Sequence, residues 1–171
     1  MKMEAQMRKN ENNGFTWACL IIACLAFSSP AIATSPQDGL SEQQKNQVRS
    51  RFKEDAAAIL KVIDRWAKAW SDLDVDNYIA CYSDVYVPAN YSSNKVWQQS
   101  RRDRFKNQKW VKLGLTGMVL TIRGNASYAV EFTQKYESDT YRDSTRKELL
   151  FKSGAGGWEI VEEKIIKNKS R

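Results

Sequence analysis

Gln134, Lys147 and Glu162 stand on strand faces that otherwise carry apolar side chains. Residues two apart along a strand face the same way. One face reads Tyr128, Val130, Phe132, Gln134, Tyr136, Ser138; a second aligns Lys147 with Leu149 and Phe151, and a third aligns Glu162 with Trp158 and Ile160. Polar groups in register with a core are costly to bury without partners, so the switch implies a pocket with a polar floor. A second set lies upstream, where Trp97, Arg101 and Arg104 share one side of a predicted helix at offsets of four and seven. If that side closes the pocket, two guanidiniums meet Gln134, Tyr136, Tyr141 and Lys147 at its mouth. Arginine recognises carboxylate or phosphate through paired hydrogen bonds, and Trp and Tyr rings stack on flat or sugar-like groups. The expected ligand is therefore an anionic small molecule, such as a carboxylate-bearing peptide or cell-envelope fragment. Two other readings stay open: Arg101, Arg102 and Arg104 as a solvated helix face, and the whole cluster as a network that satisfies itself and stiffens the fold.

Catalysis has a narrower base. The chain contains no histidine, which removes the usual general base and the commonest ligand of catalytic zinc. Asp72, Asp74 and Asp76 sit at a predicted helix start, where capping accounts for them. The strand period directs Glu162 inward and Glu163 outward, and one inward acid among cations reads as an ion pair with Lys147 or Arg101. No catalytic residue, metal or cofactor is expected. The alternative is a small lyase or isomerase with Tyr136 and Glu162 as proton-transfer groups.

The elements that must position these residues follow from the rest of the chain. Its 171 residues, net charge of +7, pI of about 9.3 and mean hydropathy of −0.60 fit one soluble basic chain. Lys2, Arg8 and Lys9, the short apolar run 15–27 and Ala31-Ile32-Ala33 read as a signal peptide cleaved after Ala33. The run falls well short of the roughly 20 residues that span a bilayer, so the mature chain is expected to carry no transmembrane segment and to be periplasmic or secreted. A lipoprotein reading at Cys24 would cut inside the apolar run. Cys19 and Cys24 leave with the signal, so Cys81 is the only mature cysteine and no intrachain disulfide forms. Without a His partner, Cys81 reads as a small buried hydrophobe. The positive excess is spread from Lys45 to Arg171, with no nucleic-acid motif, so nucleic acid is not an expected partner.

Residues 34–44 read as a linker and 45–171 as one domain. Phe52, Ala56, Ile59, Ile63, Trp66 and Trp70 recur at helical spacing and predict a long helix over 44–71. Asp74 caps a second short helix, residues 85–87 form a brief extended piece, and Ser92 or Ser93 caps a third helix to about Lys106. Strands follow over 110–123, 126–138, 141–152 and 158–166, the first interrupted at Gly114 or Gly117. Three helices followed by an antiparallel meander of about four to five strands is an α+β order in which a curved sheet wraps a helical layer into a cone.

On these residues the chain resembles a known superfamily. The Trp66-to-Trp70 helix, Asp72-Leu73-Asp74 with Tyr78, and a last strand opening Trp158-Glu159-Ile160-Val161 resemble the nuclear transport factor 2-like (SnoaL-like) superfamily. Trp97 with residues 101–104, the run 132–141 and Lys147-Glu148-Leu149 are similar to the domain found C-terminal to some periplasmic L,D-transpeptidases of the cell-shape-determining type. The chain lacks the catalytic cysteine domain of such enzymes, so the resemblance implies a pocket domain without transpeptidase activity. It also implies a homodimer formed through the outer face of the sheet. Enzymes, binding modules and dimerisation domains share this fold, so fold alone does not fix function.

Overall fold

The computed structural model describes residues 39–124 and 126–166. The expected signal peptide over 1–33, the first part (34–38) of the expected linker and residues 167–171 lie outside the described residues. Helix α1 spans Glu42–Ser71 and opens with a capping box in which the Ser41 side chain accepts from the Gln44 backbone N–H and Gln44 reaches back to Ser41. This cap starts the helix two residues before the predicted boundary. Its apolar stripe buries Ile59, Val62, Ile63, Trp66, Ala69 and Trp70, while residues 42–51 are exposed on every side. Helix α2, Val75–Ile79, is capped by Asp74, and α3, Asn94–Lys106, by Ser93.

Strands β1 (Val111–Ile122), β2 (Ser127–Ser138), β3 (Arg142–Gly154) and β4 (Gly157–Ile165) form one antiparallel sheet in that order. The expected break in β1 falls between Thr116 and Val119, at Gly117, whose φ of 66° suits a residue without a side chain. The expected extended piece over 85–87 does not form a strand. Instead Tyr82 makes a parallel bridge to Ile160, fixed by Ser83 N–H to the Ile160 carbonyl and Ile160 N–H to the Cys81 carbonyl, both at 2.9 Å. The bridge satisfies the backbone groups that a short strand would have paired, and it ties the segment before α3 to β4.

The core lies between α1 and the inner face of the sheet. Trp66 sits at its centre, with ring centroids 5.3 Å from Trp70, 6.1 Å from Tyr78 and 6.1 Å from Phe132. Tyr128, Val130 and Phe132 on β2, Leu149 and Phe151 on β3, and Ile160 on β4 line the facing wall. Cys81 is free and buried, as expected of a small hydrophobe. No described helix is long and apolar enough to cross a membrane.

A second register shift changes a side-chain assignment. Phe151 pairs with Ile160, but Leu150 pairs with Glu162, so Val161 is an extra residue on β4. An inserted residue reverses the facing of everything after it. Glu163, paired with the inward Leu149, therefore points inward. Glu162 shares the outer face with Leu150 and pairs with Lys164 at 2.9 Å. The expectation of an inward Glu162 and an outward Glu163 is reversed by this bulge.

Candidate functional site

The polar switch on β2 and β3 opens a cavity of about 480 Å³ at one end of the inner face. Its floor is built by α1 and the two central strands, which bring together Trp70, Gln134, Tyr136 and Lys147. Its rim carries Arg104 at the end of α3, Gln108 just beyond it, Tyr141 just before β3, and Asp143 and Thr145 in the first residues of β3. Gln134 is 4% exposed, Lys147 8% and Trp70 6%, so the floor is polar in an environment where polar groups need partners.

Lys147 has two neighbours. Its ammonium donates to Glu163 Oε1 at 2.5 Å and lies 5.2 Å from the centroid of the Trp70 ring, over its face. The remaining Glu163 oxygen accepts from the Tyr82 hydroxyl at 2.8 Å. The Tyr82 oxygen accepts from the Trp66 indole N–H at 2.9 Å. Because the single Tyr82 proton goes to Glu163, the Tyr78 hydroxyl 2.9 Å away must donate to Tyr82. A hydrogen-bonded chain therefore runs from the core through Glu163 to the cavity lysine. The inward acid does form the expected ion pair with Lys147, but it is Glu163.

Other polar atoms of the floor and rim are unsatisfied. The Trp70 indole nitrogen, Gln134 Oε1 and Gln108 Oε1 are buried without a hydrogen-bond partner. The Gln108 amide nitrogen donates to the Tyr136 hydroxyl, which leaves that hydroxyl its own proton to donate. Orphaned buried groups each cost on the order of 1–3 kcal/mol, and three of the four found among the described residues line this cavity, the fourth being Arg101 Nε. Trp70, Lys147, Arg104 and Tyr136 can donate, whereas Gln134 and Gln108 can accept. No group of metal ligands occurs among the described residues.

Five residues expected at the site, Arg104, Gln134, Tyr136, Tyr141 and Lys147, line the cavity. Three do not. Trp97 is buried in the aromatic core, 4.8 Å from Tyr82 and 4.9 Å from Tyr86 between ring centroids. Arg101 is half-buried, donates to the Tyr91 hydroxyl at 3.3 Å and lies 6.0 Å from the centroid of that ring. The helix side they share is real, but at 1.5 Å per residue it is about 10 Å long from Trp97 to Arg104, and only its last member reaches the cavity. Glu162 lies on the opposite face of the sheet, so Tyr136 and Glu162 do not meet as a proton-transfer pair. Trp70, Gln108, Asp143, Thr145 and Ile165 were not expected; Asp143 and Thr145 share the two-residue period of Lys147.

The buried phenols give the network a pH signature. Burial, then the negative charge of Glu163, raises the Tyr78 and Tyr82 hydroxyls above the ordinary phenol value. A group whose folded pKa is raised stabilises the fold fully below its unfolded pKa and loses that contribution as pH climbs toward the folded one. Thermal stability should therefore fall above pH about 10. Tyr82→Phe should flatten that decline, measured as melting temperature against pH.

Residues 58–164 match the family described as the Cds6 C-terminal NTF2-like domain. The chain belongs to that family. Among solved structures it is similar to Bd1075 of Bdellovibrio bacteriovorus, at 17% identity and a TM-score of 0.57, over 77% of this chain and 45% of that one. It is also similar to the helical cell shape determining protein Pgp2 of Campylobacter jejuni, at 17% identity and a TM-score of 0.60, over 66% of this chain and 41% of that one. An NTF2-like protein with a cystatin-like fold from Novosphingobium aromaticivorans matches at 14% identity and a TM-score of 0.58, over 77% of this chain and 94% of that one. This chain spans less than half the length of the first two, and at these identities the likeness is one of fold. No curated protein matches in sequence. The NTF2-like architecture, with helices packed on a curved four-stranded antiparallel sheet, is thus the one its residue pattern implied.

Proposed function

We propose that this NTF2-like domain is an exported, non-catalytic binding module whose cavity takes an anionic small molecule or an acidic cell-envelope fragment of the peptidoglycan type. The observation that carries this reading is the convergence of three unpartnered buried polar atoms, on Trp70, Gln108 and Gln134, in one cavity that also holds Lys147 and Arg104. A self-satisfied structural network would not gather such groups around one cavity. The ligand carboxylate accepts from Lys147 and Arg104, the Trp70 N–H donates to a ligand oxygen, and the two glutamine carbonyls accept from ligand amides or hydroxyls. The similarity to a cell shape determining protein directs the search to wall fragments.

Isothermal titration with an acidic muropeptide and with the same muropeptide amidated at its carboxyls tests this. The acidic form should bind, and amidation should cost about tenfold or more, the ordinary worth of a charge-assisted hydrogen bond. Equal affinities, or no heat from either, would contradict the reading.

The homodimer belongs to the same proposal. On the outer face of the sheet Arg123–Glu148 at 2.7 Å and Arg146–Glu131 at 2.8 Å already pair four charges with one another, so these ions would keep their partners beneath a second copy. Sedimentation at rising concentration should give a dimer mass, and a monomer throughout would remove dimerisation from the account.

A further inference from the structure

A second cavity, of about 410 Å³, lies at the opposite end of the inner face. Arg51 and Asp55 of α1 form one wall, and Ala126 in the turn before β2, Tyr128 at the start of β2, Ser153 at the end of β3 and Trp158 at the start of β4 form the others. Tyr128 and Gln134 are about 20 Å apart along β2 at the ordinary strand rise, so the two cavities are separate.

The chemistry of this cavity differs from that of the first. Tyr128 and Trp158 meet edge to face, with centroids 5.2 Å apart and planes at 83°. Phe52 braces Tyr128 from another side at 6.0 Å. The Tyr128 hydroxyl donates to Asp55 Oδ2 at 2.8 Å, which fixes the carboxylate and leaves Oδ1 as an acceptor. Burial and then Asp55 raise the Tyr128 hydroxyl above the ordinary phenol value, partly offset by the charge of Arg51, which lies one turn earlier on α1 and forms no salt bridge with a described residue. Trp158 is half-buried, so part of its indole remains on the cavity wall. An aromatic surface beside an oriented carboxylate and an adjacent guanidinium matches a ring with an apolar C–H face and several hydroxyls. The C–H face packs on the indole, Asp55 accepts from hydroxyls and Arg51 donates to ring oxygens.

We propose that this cavity is a second binding site, for a neutral polyhydroxylated ring of the pyranose sugar class. The proposal does not depend on what the first cavity binds. The test is an NMR titration of the ¹⁵N-labelled full chain with chitotetraose and, separately, with cellotetraose, which share the ring and differ in the acetamido group. Saturable shifts with at least one sugar are expected at Ala126, Ser153 and the Trp158 indole, with Gln134 and Tyr136 unmoved. Arg51→Ala and Asp55→Asn alter groups at the rim and keep an acceptor for Tyr128 in the second case, so both should fold. Each should weaken binding about fivefold to tenfold, equivalent to about 1 kcal/mol. Absence of saturable shifts with both sugars, shifts confined to the first cavity, or wild-type affinity in both variants would overturn the proposal.

Discussion

The Lys147→Met, Glu163→Gln double variant will fold and will bind an acidic muropeptide at least about thirtyfold more weakly than the wild-type chain. Lys147 is the cation whose loss matters most because it is almost fully removed from water, where a charge interacts far more strongly than on an exposed rim. Arg104 lies at that rim and is exposed. Arg104→Ala alone should cost only about fivefold, in line with the 0.2–1 kcal/mol typical of exposed ion pairs. Glu163 is changed together with Lys147 so that no charge is stranded. A glutamine there still accepts from the Tyr82 hydroxyl, and the core end of the network stays intact. Isothermal titration of the three proteins against the same muropeptide checks the ranking. An affinity in the double variant equal to wild type would mean that Lys147 serves only the fold.

The second large effect is on stability. Lys147→Met alone should destabilise the protein by about 3–5 kcal/mol, because it leaves the Glu163 carboxylate in the core without its cation. Adding Glu163→Gln should restore most of that loss, since replacing both members of a buried pair is often close to neutral. Urea unfolding of the single and double variants measures the difference. A mild Lys147→Met, within about 1 kcal/mol of wild type, would show that water solvates Glu163 and that the pair is not buried in solution.

Much of this arrangement was legible in the residue pattern, and the exceptions have physical causes. The helical recurrence of Ile59, Ile63, Trp66 and Trp70 located α1 because one continuous stripe faces one continuous sheet. The β2 face was legible through Gln134 and Tyr136 because its pairing with β3 runs without a shift over its whole length. On β4 the same rule failed after Ile160. Val161 is bulged with neither glycine nor proline to announce it, and a single inserted residue exchanged the roles of Glu162 and Glu163. Helical spacing correctly placed Trp97, Arg101 and Arg104 on one side of α3, but spacing carries no information about how far along that side a neighbouring cavity extends. Trp70 was legible as a core residue. That its indole N–H would be left unpartnered depends on which groups the folded chain brings near it, and no local pattern encodes that.

The expected reading of the inward acid shows the same division. An acid among cations on apolar strand faces implied an ion pair, and the pair exists between Lys147 and Glu163. What the pattern could not supply was the Tyr82 hydroxyl behind it, which reaches β4 only because the bridge between Tyr82 and Ile160 closes the segment after α2 onto the sheet.

The most direct test of the cavity's role is a crystal structure of the protein with an acidic muropeptide bound. The account predicts a ligand carboxylate between Lys147 and Arg104, with the Trp70 indole nitrogen and the Gln134 side chain each within hydrogen-bond distance of the ligand. A muropeptide seated elsewhere on the chain, or a cavity in which ordered water alone satisfies Trp70, Gln108 and Gln134, would contradict it.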